Sequence, residues 1–254
     1  MPKLALLIFS CLFTYSWVSG SEVLLQNFDQ DSALSSRGGY SFGAIDGGMP
    51  CCPFEYTPGF QEQTAQSFTL KSAAVFDEFD VVLFHFLGNT DAVDFYLVGS
   101  SPSNPGGSSD ILHHEAPDLG NVLESWSFDG PIGHDRQLFS FESVLRPTLQ
   151  ADTRYWLVGA PNQSLAPSDF VDMGWVAGTV PLGSASVFAR RNNYMGGEIN
   201  DIEWSTGDGE PYPSQAGYSL RVIGTPVDSV PEPSTLFLCS MGLFFIPPFF
   251  RRLR

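Results

Sequence analysis

The sequence predicts an all-β protein, an antiparallel β-sandwich or jelly roll, and three observations lead to this fold class. The apolar stretches in the middle of the chain are short and rich in Val, Phe, Leu, Tyr and Trp, which favour strands. Gly, Pro, Asn, Asp and Ser separate these stretches, as expected for tight turns. The middle of the chain shows neither a long amphipathic helical pattern nor a repeat of fixed period, which argues against solenoids and propellers.

Ten segments carry the strand pattern, and two of them indicate how their faces are covered. Phe79–Phe86 is apolar on both faces, which predicts a central strand covered on both sides. Residues 218–222 alternate between apolar and polar side chains, which predicts a strand with one face in water. The predicted strands are Val23–Phe28, Ala65–Leu70, Phe79–Phe86, Asp94–Gly99, Val122–Phe128, Leu138–Leu145, Arg154–Gly159, Phe170–Ala177, Ala185–Arg190 and Gly217–Ile223.

Residues 1–20 have the pattern of a cleaved signal peptide. Lys3 gives a positive start, an apolar stretch runs from Leu4 to Tyr15, and small residues precede a predicted cut by signal peptidase before Ser21. A lipoprotein signal at Cys11 is the alternative, and it is disfavoured because the apolar stretch ahead of this cysteine is too short. The pattern therefore predicts export.

Residues 229–254 form a second signal, in which a short polar element precedes an apolar run and a terminal arginine cluster. The run, Thr235–Phe250, has about 16 residues and spans roughly 24 Å as a helix, slightly less than a bilayer core. Snorkelling arginines extend its reach, and the positive-inside rule keeps them in the cytoplasm with the domain across the membrane. The residues assigned to sorting and processing are Val230, Pro231, Glu232, Pro233, Ser234, Arg251, Arg252 and Arg254.

The order of these parts, with Pro231-Glu232-Pro233 ahead of the apolar run and the arginines, resembles the PEP-CTERM signal of exopolysaccharide-producing Gram-negative bacteria. The resemblance implies a protein that is exported, anchored in the inner membrane by a short C-terminal transmembrane helix, and processed by an exosortase. It would then reach the cell surface or the extracellular matrix, in association with exopolysaccharide or a biofilm. An ordinary tail anchor with a chance Pro-Glu-Pro is the alternative interpretation.

Residues 21–228 remain as one extracellular β-sandwich domain, which is long enough for a sizeable core. The whole chain has a formal net charge of −16, and removal of the two signals takes away Lys3 and the tail arginines. The domain is therefore more acidic still, which argues against nucleic acid as a partner, because phosphate contacts need a basic face. Acidic residues also supply ligands for divalent cations, although a solvated acidic surface is the favoured explanation of the composition.

The domain also resembles the choice-of-anchor R group, which comprises bacterial surface β domains attached to different anchors. The resemblance begins at Gln66–Leu70, continues through a strand pair between Phe79 and Gly99 and the turn Asn104-Pro105-Gly106, and includes the aromatic strand Thr153–Val158. It covers roughly residues 65–223. Because the group has no established catalytic residues, the resemblance assigns no active site to this chain.

Cys51 and Cys52 are the two cysteines of the mature domain. Adjacent cysteines cannot link distant strands, so in an oxidising compartment we expect a local vicinal disulfide. Pairing between two chains and two free thiols are the alternatives. A zinc site is disfavoured, because no second Cys or His cluster lies nearby in sequence.

Carboxylates at alternating positions suggest one metal-ligand set. Asp201, Glu203 and Asp208 offer oxygen ligands of the kind that Ca²⁺ prefers, without the residue order of an EF-hand. A second acidic group lies at residues 77–80, before a predicted strand. We expect no catalytic cofactor, and calcium is the one cation that the sequence suggests.

Trp204, close to these carboxylates, is the candidate ligand-binding residue, because an exposed indole face can stack on a sugar ring. The four histidines form no catalytic motif and no helical HExxH zinc motif. His85 is predicted to be a hydrogen-bonded strand histidine, whereas His134 belongs to a polar turn. His113 and Glu115 would lie on one face of an extended segment and could ligate a metal there. A solvated position is favoured, because this segment follows a Pro/Gly-rich loop and lacks the helical HExxH spacing.

Three classes of function are compatible with these features. We favour a non-catalytic, exported surface or matrix protein, because the chain lacks a nucleophile elbow, a phosphate-binding glycine loop and a dinucleotide fingerprint. A lectin-like carbohydrate-binding module, assisted by calcium beside Trp204, is the first alternative. A polysaccharide hydrolase is the second, and it requires two carboxylates that converge in a cleft.

Overall fold

The protein is all-β in the parts that the structure describes, and its strands pair in antiparallel fashion, which confirms the all-β, antiparallel part of the predicted fold class. A computed structural model describes residues 20–35, 39–45, 60–88, 90–102, 115–162, 170–178, 188–192, 204–207 and 217–227. Within these ranges no helix is long and apolar enough to cross a membrane. Residues 1–19 of the predicted signal peptide and the predicted transmembrane segment lie outside them.

The described ranges contain thirteen strands and one short helix. In chain order they are β1 (Glu22–Gln26), α1 (Gln30–Ser35), β2 (Gly39–Ile45), β3 (Phe60–Thr69), β4 (Ala74–Gly88), β5 (Val93–Pro102), β6 (Glu115–Phe128), β7 (Gln137–Glu142), β8 (Thr148–Leu149), β9 (Arg154–Pro161), β10 (Phe170–Val176), β11 (Phe188–Asn192), β12 (Ser205–Gly207) and β13 (Arg221–Pro226).

Strand β4 organises one half of the fold. Strands β13 and β10 pair with successive parts of one of its edges, and β7 and β8 pair with the opposite edge. Strand β1 extends this half beyond β13. The other half follows the order β3-β9-β5-β6, with β11 on the free edge of β3, and β2 joins the halves by pairing with both β10 and β3.

The two halves pack face to face, which makes the arrangement sandwich-like. Phe79 of β4 and Phe95 of β5 belong to strands that are not hydrogen-bonded neighbours, yet their ring centroids lie 5.6 Å apart. Trp175 of β10 meets Phe95 edge to face at 5.6 Å and stacks on Tyr218 at 4.8 Å. All four side chains are buried, and the contacts of Phe95 with Phe79 and Trp175 join the two halves at the centre of the core.

The outer face of the β4 half is also covered, which corrects the expectation of a strand with one wet face at residues 218–222. Phe28 and Ala33, from the segment around α1, form a second buried cluster with Val82 and Val176. Ser219 is completely buried in this region, where its hydroxyl accepts a hydrogen bond from the Val82 amide over 3.1 Å. Ser219, a polar residue of the alternating pattern, is therefore buried and bonds to the backbone of β4, where a wet face was expected.

The segment that leads into β13 is held by side chains in place of a regular strand ladder. Asn27 donates to the Tyr218 carbonyl and accepts from the Leu220 amide, each over 2.7 Å. Gln66 accepts from the Tyr218 amide over 2.7 Å. Gly217 has a φ of 64°, and a Cβ there would collide with the Gln66 side-chain oxygen, so any other residue would be strained at this turn and would displace Gln66.

A buried carboxylate ends β7 earlier than the predicted strand Leu138–Leu145. Glu124 of β6 accepts hydrogen bonds from the Ser143 hydroxyl over 2.5 Å and from the Val144 and Leu145 amides over 2.6 and 3.1 Å. These bonds hold residues 143–145 in a turn, and the chain bonds to β4 again at Pro147, whose carbonyl accepts from the Phe76 amide over 2.9 Å. Val144 consequently projects outward with 85% of its surface exposed.

Candidate functional site

Most of the residues assigned to sites from the sequence lie outside the described ranges. This applies to the calcium candidates Asp201, Glu203 and Asp208, to Cys51 and Cys52, and to the sorting tail. Trp204 is described, and its half-buried ring packs against a buried cluster that includes Val98, Trp156 and Val158. Part of the indole surface therefore contributes to the outer face of the β3 half.

The acidic group at residues 77–80 lies within β4, where arginines neutralise two of its carboxylates. Asp80 is fully buried and accepts hydrogen bonds from Arg221 and from the Ser140 hydroxyl. Asp77 is paired with Arg146, whose Nε donates to Oδ1 over 2.8 Å. These two carboxylates therefore stabilise the fold through arginine pairs.

Asp77 also joins the two ends of the described domain. The Ser21 and Thr225 hydroxyls both donate to its Oδ2, over 2.7 and 2.6 Å. Partial burial alone would raise the pKa of Asp77. The hydrogen bonds from Thr225, Ser21 and Arg146, together with the Arg146 charge, outweigh this effect and hold the pKa below its ordinary value of 3.8.

The neighbouring carboxyl group is shifted in the opposite direction. Burial raises the pKa of Glu78 above its ordinary value of 4.5, and the adjacent Asp80 carboxylate raises it further. A lowered folded-state pKa gives stability that is present above the unfolded pKa and lost as the pH falls. A raised folded-state pKa has the reverse sign, because the folded state then binds the proton more tightly and gains stability as the pH falls.

These two shifts predict opposite changes in acid unfolding. We expect Asp77→Asn to flatten the loss of stability on acidification below about pH 5, and Glu78→Gln to steepen the pH dependence, because it removes an opposing contribution. Urea unfolding of both variants and the wild type between about pH 3 and pH 7 measures the slopes. If all three proteins show parallel profiles, the proposed surroundings of these carboxyl groups are wrong.

At the other end of β4, two histidines and an aspartate form a cluster that we call the histidine corner: His85, Asp91 and His134. His85 lies near the end of β4, Asp91 in the connection to β5, and His134 in the connection between β6 and β7. His85 Nδ1 lies 2.5 Å from Asp91 Oδ1, which confirms that His85 is hydrogen-bonded. The second Asp91 oxygen accepts from the Ile132 amide over 2.8 Å.

Backbone hydrogen bonds hold the two histidines side by side. The His85 amide donates to the Gly133 carbonyl over 2.9 Å, and His134 Nδ1 lies 3.1 Å from the His85 carbonyl oxygen. The ring centroids are 5.1 Å apart, with the planes nearly perpendicular at 86°. Because a carboxylate and a carbonyl are acceptors, both Nδ1 atoms carry the proton and donate. In the neutral form of each ring, Nε2 is the nitrogen that carries the lone pair.

Across the described ranges, neither histidine hydrogen-bonds a hydroxyl or thiol that could act as a nucleophile. The same ranges contain no group of three or more His, Cys, Asp or Glu side chains arranged to hold a metal ion. The chemistry that the corner offers is therefore that of two oriented imidazoles with free Nε2 atoms. Sequence reasoning assigned His85 and His134 separately and missed that the sheet places them together.

No family model matches this chain, and searches of curated proteins and of solved structures found no significant match.

Proposed function

We propose that this chain is an exported, non-catalytic surface or extracellular-matrix protein that is sorted by its C-terminal tail. The observation that carries the proposal is the position of the domain's two ends. Ser21, the first residue after the predicted signal peptide, and Thr225, close to the predicted tail, donate to the same Asp77 oxygen. The segments that the sequence assigns to the membrane thus leave the domain close together.

The pairing of the terminal strands, β1 and β13, also brings the two ends of the domain close together. β1 and β13 run antiparallel, with Glu22 opposite Gly224, so the chain enters and leaves at one end of the β4 half. During export the signal peptide and the apolar tail would occupy the same membrane. A folded domain whose ends are adjacent can be held there by both segments, or by the tail alone, without unfolding.

In the proposed sequence of events the chain meets signal peptidase, the inner membrane and an exosortase. Signal peptidase removes residues 1–20, the apolar run Thr235–Phe250 holds the protein in the inner membrane, and an exosortase recognises the Pro231-Glu232-Pro233 element. The processed domain then joins the cell surface or an exopolysaccharide matrix. Its acidic composition suits an extracellular setting and disfavours a nucleic-acid partner.

Cell fractionation tests the anchoring step. The full chain is expected in the inner-membrane fraction, with its domain digested by protease added to spheroplasts. A matched chain that lacks residues 229–254 is expected in the soluble periplasmic fraction. Recovery of the full chain in the cytoplasm, or protection of its domain from the added protease, would contradict the proposal.

A further inference from the structure

The histidine corner lies away from the end where the chain enters and leaves the domain. Asp77 and His85 belong to the same strand, and at about 3.3 Å per residue they are separated by roughly 26 Å along β4. In a protein held by its tail, the corner would thus be far from the membrane. The geometry of the corner does not depend on that anchoring.

Each imidazole is oriented through its Nδ1 atom. His85 donates to Asp91, and His134 donates to the His85 backbone carbonyl. Metal-binding histidines in proteins are fixed in this manner, with the ring nitrogen that does not bind the metal donating to a carboxylate or a backbone carbonyl. The corner contains one example of each arrangement, and both select the tautomer whose Nε2 can bind a metal.

The separation of the rings fits a shared ion. Two imidazoles that bind one tetrahedral Zn²⁺ through nitrogens at about 2.0–2.1 Å have ring centroids roughly 5 Å apart. The centroids of His85 and His134 are 5.1 Å apart. Their perpendicular planes are compatible with such a site, because each ring can rotate about its metal–nitrogen bond.

The nearby charges also favour a cation. The carboxylate of Asp91 lies directly behind His85. The closest arginine in sequence, Arg136, packs its guanidinium over the Phe84 ring at 5.3 Å. Successive strand residues point to opposite faces, so Phe84 and His85 place this positive charge and the imidazole on different faces of β4.

We propose that the histidine corner binds a divalent transition-metal ion, with Zn²⁺ as the probe of this class, through the Nε2 atoms of His85 and His134. Asp91 is a positioning residue that orients His85. With two protein ligands, water completes the coordination, so the site is open and exchangeable. Ca²⁺ and Mg²⁺ are excluded as its ions because they prefer oxygen ligands, whereas imidazole suits Zn²⁺ and its neighbours.

Calorimetric titration of the purified full chain in detergent micelles with Zn²⁺ tests this proposal. The background variant His113→Gln/His114→Gln removes the other two histidines, and we expect it to retain one bound ion per chain. In that background, His134→Gln should abolish the binding, and Asp91→Asn should weaken it by about 10- to 100-fold. Since His134 lies on an exposed connection, its replacement leaves the core contacts intact.

A spectroscopic readout separates binding at the corner from a general effect on the fold. Imidazole ¹⁵N spectra should show Zn²⁺ shifting the Nε2 signals of both His85 and His134, and thermal unfolding without metal should be unchanged in His134→Gln. Loss of binding in the His113→Gln/His114→Gln background would overturn the proposal. Unaltered binding after His134→Gln, or shifts at neither Nε2, would overturn it as well.

Discussion

Replacing Arg221 with methionine should lower the free energy of unfolding by about 3–5 kcal/mol, because it leaves the Asp80 carboxylate buried without its cation. The Asp80 side chain is only 1% exposed, and its arginine partner is 22% exposed. The Arg221 guanidinium also lies 5.9 Å from the centre of the Phe28 ring, so its loss removes packing as well as charge. Urea unfolding at neutral pH measures the difference.

Asp77, on the same strand as Asp80, provides a matched control through its own arginine partner. Arg146 pairs with Asp77, but the Arg146 side chain is 56% exposed, so Arg146→Met should cost no more than about 1 kcal/mol. The double variant Asp80→Asn/Arg221→Met removes both charges and should recover most of the stability lost in Arg221→Met, since the amide can still bond Ser140. Equal losses for the two arginine variants would refute the burial argument.

Trp175→Ala is expected to destabilise the protein by about 3–5 kcal/mol, the usual range for removing a large aromatic side chain from a core. Trp175 is completely buried and contacts aromatic rings from both halves of the fold. Its indole nitrogen also donates to the Ser219 carbonyl over 2.8 Å, so the substitution leaves that buried acceptor without this donor.

Val144→Ala provides the comparison for this experiment. Val144 is 85% exposed, so its truncation should change the free energy of unfolding by less than about 0.5 kcal/mol. Thermal and urea unfolding of both variants give the required values. A small effect of Trp175→Ala would mean that the two halves of the fold do not share one core.

The sequence pattern predicted the strands whose apolar residues form the core. Phe79, Val81 and Leu83 repeat with a period of two and are buried, as expected for a central strand. β2 was missed because Gly39–Ile45 contains two glycines and few β-branched residues, so its strand conformation comes from pairing with β10 and β3. Helix α1 was missed because a six-residue helix is too short to show a helical period.

The sites were harder to predict, because each one depends on partners that are remote in sequence. The acidic group at residues 77–80 suggested a cation site, whereas its arginine partners lie 69 and 141 positions away, at Arg146 and Arg221. His85, in β4, and His134, in the connection between β6 and β7, are 49 positions apart. The antiparallel pairing of β4 with β7 and the hydrogen bond from the His85 amide to the Gly133 carbonyl bring them together.

The central claim, sorting by the C-terminal tail, is tested most directly by the intact mass of the mature protein from membrane and cell-surface fractions. The wild type is compared with a variant in which Pro231, Glu232 and Pro233 are replaced by alanine. We predict a surface form that begins at Ser21 and has lost the tail beyond this element, and we predict that the substitution blocks the loss. An intact tail in every wild-type fraction would contradict the account and would identify the apolar segment as a permanent anchor.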